Sequence, residues 1–307
     1  MTVKQSKEWF LQLQWGKVAL VSWGNPSNPP ILMVHGYMDT AATFIPLVDV
    51  LPDAYYYVAI DMPGHGKSEP YPKGHLVSTA EHVEVVRRVV ESLKWKNFIL
   101  MTHSAGFFVG VIYNCVYPNK VTKMVNLDPG PPMSTYCFNQ YNMPLWFQYV
   151  YNEYYEDYDR WHQEWPRQYT YDEALGTVMR NRKLERDQAK IVLSRALVPQ
   201  GNGKYRLSWE PSSKKLTGIP MSEEMFYGIV SKNPPPMLNI LASEDDTLEM
   251  YKKNGRRLLK MLQDNLPNYS VLNVTGHHDV HITNPERFVM EVVIFLNKDF
   301  GKVSAKL

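Results

Sequence analysis

The stretch Leu100-Met101-Thr102-His103-Ser104-Ala105-Gly106-Phe107 decides the fold of this chain. The apolar run 98–101 is typical of a short buried strand, and the apolar run 107–117 is compatible with a helix. A serine on a sharp turn between a strand and a helix is the setting of a nucleophile elbow, which exposes the serine hydroxyl above the sheet. Gly106 supplies the small residue that the turn needs two places after the serine, whereas Thr102 stands where glycine is usual.

The composition bounds the class of protein. The chain has 307 residues, of which 44% are hydrophobic, enough for a large core. The net charge of +2 comes without a basic stripe or an acidic tail, so no nucleic-acid partner is predicted. We find no apolar stretch long enough to span a bilayer and no signal-peptide core in the first eight residues. Two cysteines, Cys115 and Cys137, favour a reducing compartment, and together these features predict a soluble intracellular protein.

The last three residues carry a targeting signal. Ala305-Lys306-Leu307 is a close variant of the Ser-Lys-Leu peroxisomal address. The import receptor reads such a tripeptide together with its free carboxylate. The sequence therefore predicts a peroxisomal protein that binds the peroxisomal import receptor, with the cytoplasm as the alternative location.

Strand and helix patterns alternate along most of the chain. We expect helices near 44–51, 78–93, 107–117, 248–263 and 285–297. This alternation predicts an α/β fold with a mostly parallel eight-stranded sheet and helices on both faces. The predicted strands are 8–14, 17–23, 31–34, 55–60, 98–101, 121–127, 237–241 and 270–274.

The alternation stops between residues 133 and 232. This region has a dense aromatic segment, 136–171, and a charged helical stretch, 180–197, but no convincing strand. An insertion between parallel strands lies at their carboxyl ends, where ligands bind. We therefore predict a core of residues 1–132 and 233–307 and a helical cap of residues 133–232. The aromatic residues predict a largely apolar pocket, and the charges of 180–186 predict a solvated helix face.

A serine, an aspartate and a histidine each follow a predicted strand, and their order along the chain is informative. Ser104, Asp245 and His278 occur as nucleophile, acid and histidine, the order of α/β-hydrolases. A histidine takes the proton of the serine, and a carboxylate orients and stabilises the imidazole. The tetrahedral oxyanion would be bound by the backbone N–H groups of Tyr37 and Ala105.

The acid has alternatives. Asp246 is adjacent to Asp245, and Asp128 follows the strand 121–127, where some hydrolases place their acid. Asp128 has a competing structural interpretation, in which it braces the end of its strand.

The other histidines are interpreted structurally. His35 and His65 belong to turns that they are expected to hydrogen-bond together. The cluster around His277, His278 and His281 resembles a metal site, but metal ligands usually come from more than one element. No metal and no cofactor are therefore predicted.

The chain resembles the α/β-hydrolase superfamily and is similar, within it, to the serine hydrolase-like proteins. The resemblance covers nearly all of the chain outside the cap, and it implies a nucleophile at Ser104, a base at His278 and an acid at Asp245. Thr102 and Phe107 depart from the family pattern of small residues, which predicts a crowded elbow. The motifs are Trp15-Gly16-Lys17-Val18-Ala19, Trp23-Gly24, His35-Gly36-Tyr37-Met38-Asp39, residues 61–68, Leu93-Lys94-Trp95, the elbow, and His278 seven residues before Pro285.

These observations predict a serine hydrolase. Its substrate would be a lipophilic small carboxylic ester, or a thioester, cleaved through an acyl-serine intermediate. Carbon–carbon bond hydrolases share the three residue types and are one alternative. The departures at the elbow keep open a second alternative, a ligand-binding or sensor protein on a hydrolase scaffold with weak or no turnover.

Overall fold

The computed structural model describes residues 4–74, 76–136, 143–163, 167–215, 218, 221–244 and 249–301, with the backbone alone described for 134–136, 143 and 249–251. Cys137, Asp245, Asp246 and the C-terminal tripeptide lie outside the described residues.

Within the described part of the chain, eight strands form one sheet in the order β1-β2-β4-β3-β5-β6-β9-β10. The β1/β2 and β2/β4 pairs are antiparallel, and the five other pairs are parallel. The predicted mostly parallel eight-stranded sheet is confirmed. The strands are β1 Ser6–Leu13, β2 Gly16–Trp23, β3 Pro30–Val34, β4 Tyr56–Ile60, β5 Phe98–His103, β6 Val121–Leu127, β7 Leu197–Gly201, β8 Lys204–Leu207, β9 Met237–Glu244 and β10 Tyr269–His277.

Helices cover both faces of this sheet. The α-helices are α1 Ile45–Val50, α2 Thr79–Ser92, α3 Gly106–Val116, α4 Gly130–Tyr136, α5 Met143–Phe147, α6 Glu153–Glu156, α7 Tyr158–His162, α8 Tyr171–Arg182, α9 Arg186–Ala196, α10 Glu223–Ser231, α11 Glu249–Asn265, α12 Val280–Thr283 and α13 Val289–Asn297. Short 3-10 turns lie at Ala41–Phe44, Pro211–Lys215 and Pro285–Arg287, and a π-helical turn lies at Gln148–Asn152. No helix in the described residues is both long and apolar enough to cross a bilayer.

The apolar core is divided by the sheet into two layers. Strand β3 illustrates the division, because Leu32 and Val34 join the layer under α2 and α3, while Ile31 and Met33 join the layer under α1 and α13. Successive side chains of a strand point to opposite faces, so a strand covered on both sides must be apolar throughout. This is why the predicted parallel strands are continuous apolar runs.

The region 133–232, called the cap after its predicted role, is mainly helical in its described residues, but it also contains an antiparallel hairpin of β7 and β8. The prediction that this region has no strand is wrong. The hairpin turns at Asn202-Gly203, where both residues have positive φ. An Asn-Gly pair is the strongest short hairpin signal, because both residues adopt left-handed backbone conformations at low cost.

The cap contacts the loops at the carboxyl ends of β3 and β4. The N–H of Glu210 donates to the carbonyl of Gly64 at 2.8 Å. The N–H of Gly66 donates to Oγ of Ser208 at 3.1 Å, and the hydroxyl of Tyr37 donates to the carbonyl of Lys214 at 3.1 Å. The cap therefore lies against the same edge of the sheet on which the candidate site is built.

Candidate active site

Ser104 lies at the sharp turn between β5 and α3. Its φ of +49° is in the left-handed region, which costs a non-glycine residue on the order of 1–3 kcal/mol. The surrounding backbone holds this conformation: the N–H of Ser104 donates to the carbonyl of Leu127 at 2.9 Å, and the N–H of Phe107 donates to the carbonyl of Ser104 at 2.9 Å. The serine is 9% exposed. These features are those of the predicted nucleophile elbow.

Two glycines allow three backbone segments to meet at the elbow. A Cβ on Gly106 would lie 2.5 Å from the carbonyl oxygen of Val34, so the first turn of α3 packs directly on the end of β3. A Cβ on Gly36 would lie 2.9 Å from Cβ of Ser104. The turn after β3 therefore passes within contact of the serine, and neither position has room for a side chain.

Thr102 is accommodated by its neighbours. Its methyl group faces α3 at Gly110, where an added Cβ would come within 3.0 Å of it. Its hydroxyl donates to Oδ1 of Asn126 on β6 at 2.8 Å. Nδ2 of Asn126 donates in turn to Oδ1 of Asn239 on β9 at 2.9 Å, and Nδ2 of Asn239 donates to the carbonyl of Ser270 on β10 at 3.0 Å. The departure at Thr102 is thus one end of a polar ladder across four strands.

Phe107 is fully buried in the apolar layer under α2 and α3. Its ring lies 5.6 Å from that of Phe108 and 6.4 Å from that of Phe226 on α10. Such aromatic contacts bury a large apolar area. Phe107 therefore joins the elbow helix to the helix that ends the cap, rather than simply crowding the turn.

His278 connects Ser104 to a carboxylate. Its Nε2 lies 2.8 Å from Oγ of Ser104, and its Nδ1 lies 2.6 Å from Oδ2 of Asp128. Burial opposes protonation of the imidazole, but the hydrogen bond to Asp128 and its negative charge outweigh it and raise the pKa of His278 above its ordinary value. His277 lies beside Glu244 instead, with its Nδ1 3.0 Å from Oε2 of that residue.

Asp128, an alternative acid in the sequence analysis, is held rigidly after β6. It has a φ of +45° and is 3% exposed. Its N–H donates to the carbonyl of Ile240 at 2.8 Å, and its Oδ1 accepts from the N–H of Ala242 at 3.0 Å. Both contacts are to the adjacent strand β9. Asp128 therefore braces the end of its strand, which is the structural role considered from the sequence, and it also contacts His278. Asp245 and Asp246 lie outside the described residues.

Tyr37 and Ala105, the predicted oxyanion donors, line one small cavity together with Gly36 and Gly106. The cavity volume is about 20 Å³, which is enough for one water molecule. Ser104 itself does not line this cavity, whose other walls include Met62, His65 and His82.

His35 and His65 join the turns that follow β3 and β4. Nε2 of His35 accepts from the N–H of Met62 at 3.0 Å, and the Nδ1–H of His65 donates to the carbonyl of Pro63 at 3.1 Å. The two rings lie 5.3 Å apart. Burial lowers the pKa of His65 to about 4, so this imidazole is neutral at physiological pH. His35 thus hydrogen-bonds the two turns together as predicted, whereas the hydrogen bond of His65 lies within its own turn and only its ring contacts His35.

Arg182, at the end of α8, is a site residue that the sequence analysis missed. Its guanidinium binds two buried carboxylates, donating to Asp39 at 3.0 and 3.2 Å and to Asp279 from Nε at 2.7 Å and from Nη2. The expected solvated face of 180–186 is wrong for this residue. The signal was present, because Arg182 follows the buried residues Ala174 and Val178 at intervals of four along one helix face.

The residues around Arg182 do not fit a metal ion. His103, Asp279 and His281 bring ligand-type atoms within 4.8 Å of one another. Burial alone would raise the pKa of Asp279, but the Arg182 guanidinium holds it well below its usual range. Both oxygens of that carboxylate already accept from Arg182. A divalent cation would lie beside the guanidinium and would be repelled by it.

The fold and this constellation define the class of protein. The chain matches the family model of the alpha/beta hydrolase fold over residues 29–284, and it belongs to that family. It is 29% identical over 310 residues to a serine hydrolase-like protein of Mus musculus, with 97% of each chain covered. It is 41% identical over 118 residues to a serine hydrolase-like protein of Homo sapiens, a match that covers 38% of this chain and 58% of the human protein.

A solved structure shares the fold. A hypothetical protein from Pseudomonas aeruginosa superposes with a TM-score of 0.77 at 20% identity, covering 94% of this chain and 97% of the other. The family match and the names of the relatives support a general hydrolase function.

Proposed function

We propose that this chain is a serine hydrolase that cleaves carboxylic esters through an acyl-serine intermediate. The observation that carries the proposal is the chain of short contacts from Ser104 Oγ through His278 to Asp128, at 2.8 and 2.6 Å. A serine hydroxyl becomes a nucleophile when an imidazole within hydrogen-bonding distance takes its proton. The separation between Oγ and Nε2 meets that requirement.

The reaction proceeds in two halves. Oγ of Ser104 attacks the ester carbonyl carbon while Nε2 of His278 takes the hydroxyl proton, and the oxyanion forms against the N–H groups of Tyr37 and Ala105. The C–O bond to the leaving group then breaks, and His278 gives its proton to the departing alkoxide. A water molecule, deprotonated by His278, attacks the acyl-serine, and the carboxylic acid leaves as Oγ regains its proton.

A lipophilic substrate is supported by the surface of the cap. Its described helices expose large apolar or aromatic side chains, with exposed fractions between 42% and 54% at Leu145, Phe147, Tyr149 and Tyr155. Exposed apolar groups in this number commonly mark a surface that binds apolar ligands. We infer an acyl or aryl ester of low polarity, or the corresponding thioester, as the substrate class.

Reaction with a fluorophosphonate probe tests the proposal. The probe phosphonylates an activated serine, so we expect labelling of the wild-type protein and none of Ser104→Ala. Ser213→Ala is a matched control that removes a cap serine and should leave labelling unchanged. A wild-type protein that is not labelled, and that hydrolyses no member of a panel of acyl esters and thioesters, would favour the sensor alternative and refute the proposal.

A further inference from the structure

The side chain of Arg182 reaches from the cap into the core between two carboxylates. Its own side chain is 22% exposed, whereas those of Asp39 and Asp279 are 4% and 9% exposed. Four N–H···O contacts join the three groups. A guanidinium fixes the orientation of a carboxylate better than any other side chain, because its planar fork donates two parallel hydrogen bonds.

The two carboxylates belong to the two halves of the candidate site. Asp279 directly follows His278 and is the N-cap residue of α12, where its backbone carbonyl accepts from the N–H of Ile282 at 2.8 Å. Asp39 lies two residues after Tyr37, and its Oδ1 accepts from the N–H of Thr40 at 2.9 Å. One guanidinium thus joins the loop of the base to the turn of the oxyanion donor.

The charges explain why this connection is tight. Without the guanidinium, two buried carboxylates would lie close together beside His103, whose pKa burial lowers to about 3 so that it is neutral. Two buried like charges repel strongly, and the loops that carry them would separate or take up water. Arg182 neutralises one of these charges and is hydrogen-bonded to both groups.

We propose that Arg182 is a positioning residue of the hydrolase reaction, through which docking of α8 sets the geometry of His278 and Tyr37. This inference rests on the proposed function. The hydrogen bonds of Arg182 go to the carboxylates and not to the reacting atoms, so its loss should misplace the base and the oxyanion donor. Misplacement by about 1 Å typically costs on the order of 10²-fold in rate. Substrate binding should change little, because the exposed apolar side chains proposed to bind the substrate, at positions 145–155, are not on α8.

The experiment compares kcat and KM of Arg182→Ala and Arg182→Lys for an ester that the wild-type protein hydrolyses. We expect kcat of the alanine variant to fall about 10²-fold with KM within about threefold. Lysine keeps the positive charge but lacks the planar fork, so kcat of Arg182→Lys should lie between those of the wild-type protein and of Arg182→Ala. Added guanidinium ion, at millimolar concentration, should restore much of the kcat of the alanine variant, whereas urea should not.

Two controls separate positioning from general anchoring of the cap. Arg180 is exposed on the same helix, and Arg180→Ala should behave as wild type. Arg195 is a second buried cap arginine, bound to Asp61 at 2.9 and 2.6 Å, and Arg195→Ala should lower the melting temperature without guanidinium-dependent recovery of kcat. The inference is overturned if Arg182→Lys and Arg182→Ala keep wild-type kcat, or if their loss lies in KM alone. An inactive, unlabelled wild-type protein would instead refute the proposed function.

Discussion

Replacing Asp128 with asparagine should remove nearly all activity while leaving the fold intact. The two carboxylate oxygens have different partners, since Oδ1 accepts from the N–H of Ala242 and Oδ2 from Nδ1–H of His278. In the variant, the amide oxygen must stay on the N–H of Ala242, so the amide NH₂ faces Nδ1 of His278. That donor forces the imidazole into the tautomer with its proton on Nε2, next to Ser104, where it cannot accept the serine proton.

The size of the loss follows from this change of tautomer. An Asp→Asn change at the acid of a serine–histidine–aspartate triad lowers kcat by roughly 10⁴-fold, which corresponds to about 5 kcal/mol of transition-state stabilisation. The assay is kcat for ester hydrolysis, supported by the rate of fluorophosphonate labelling. KM should stay near its wild-type value, because the amide is isosteric with the carboxylate and Asp128 is only 3% exposed.

The pH profile provides an independent check. Asp128 raises the pKa of His278, and only the neutral imidazole can take the serine proton. Wild-type activity should therefore fall, as the pH decreases, through a pKa above the ordinary value for histidine. The residual activity of Asp128→Asn should persist to lower pH, because the charge that favours the imidazolium is gone.

The comparison with Asp245 decides between the two acids. Asp245→Asn and Asp246→Asn should each keep kcat within about tenfold of wild type if Asp128 is the acid. A variant of Asp128 that is nearly as active as wild type, beside a variant of Asp245 that loses several powers of ten, would refute this reasoning and restore the order of preference taken from the sequence.

Two further predictions concern the elbow. Gly106→Ala should destabilise the protein by several kcal/mol, because its Cβ would lie 2.5 Å from a strand carbonyl; Gly228→Ala, where nothing lies within 4 Å, should gain up to about 1 kcal/mol instead. Equal melting temperatures for the two variants would contradict the close approach. Thr102→Val should cost about 1–3 kcal/mol in urea unfolding, because Asn126 loses its hydroxyl donor, yet retain kcat. A large loss of kcat with unchanged stability would show that the hydroxyl serves the reaction.

The core of the fold could be predicted because its central strands β3, β4 and β5 are covered on both faces. The run 31–34 can only be buried, and its ending at His35-Gly36 locates the turn that meets Ser104. The roles of Ser104 and His278 depend on local motifs at strand ends, and the structure brings their side chains together. The preference for Asp245 as the acid rests on chain order and resemblance, because aspartates follow two neighbouring parallel strands and the sequence does not give their side-chain directions.

The cap could be predicted only as a region. Its aromatic residues pack in no fixed period, so they indicate burial without indicating the partner. The Asn202-Gly203 pair is a hairpin signal, but the runs that flank it are short and one contains Pro199, which is uncommon within a strand. Arg182 shows a different limit, since a charged residue within a charged run gives no composition signal for burial, and only its spacing from Val178 indicates the buried face.

The polar ladder that begins at Thr102 also affects the register in which the strands that carry the candidate site pair during folding. Thr102, Asn126 and Asn239 are direct neighbours in the registers of β5, β6 and β9. Parallel strands rich in Val, Leu and Ile can slide past one another with little apolar penalty, but a slip of one residue would leave these buried amides without partners. Such a slip would also shift Asp128 by about 3.3 Å relative to Ser104, so His278 could not keep its short contacts with both residues. The side chains of Thr102, Asn126 and Asn239 thus make the alignment of Ser104 with Asp128 depend on the correct pairing of three strands.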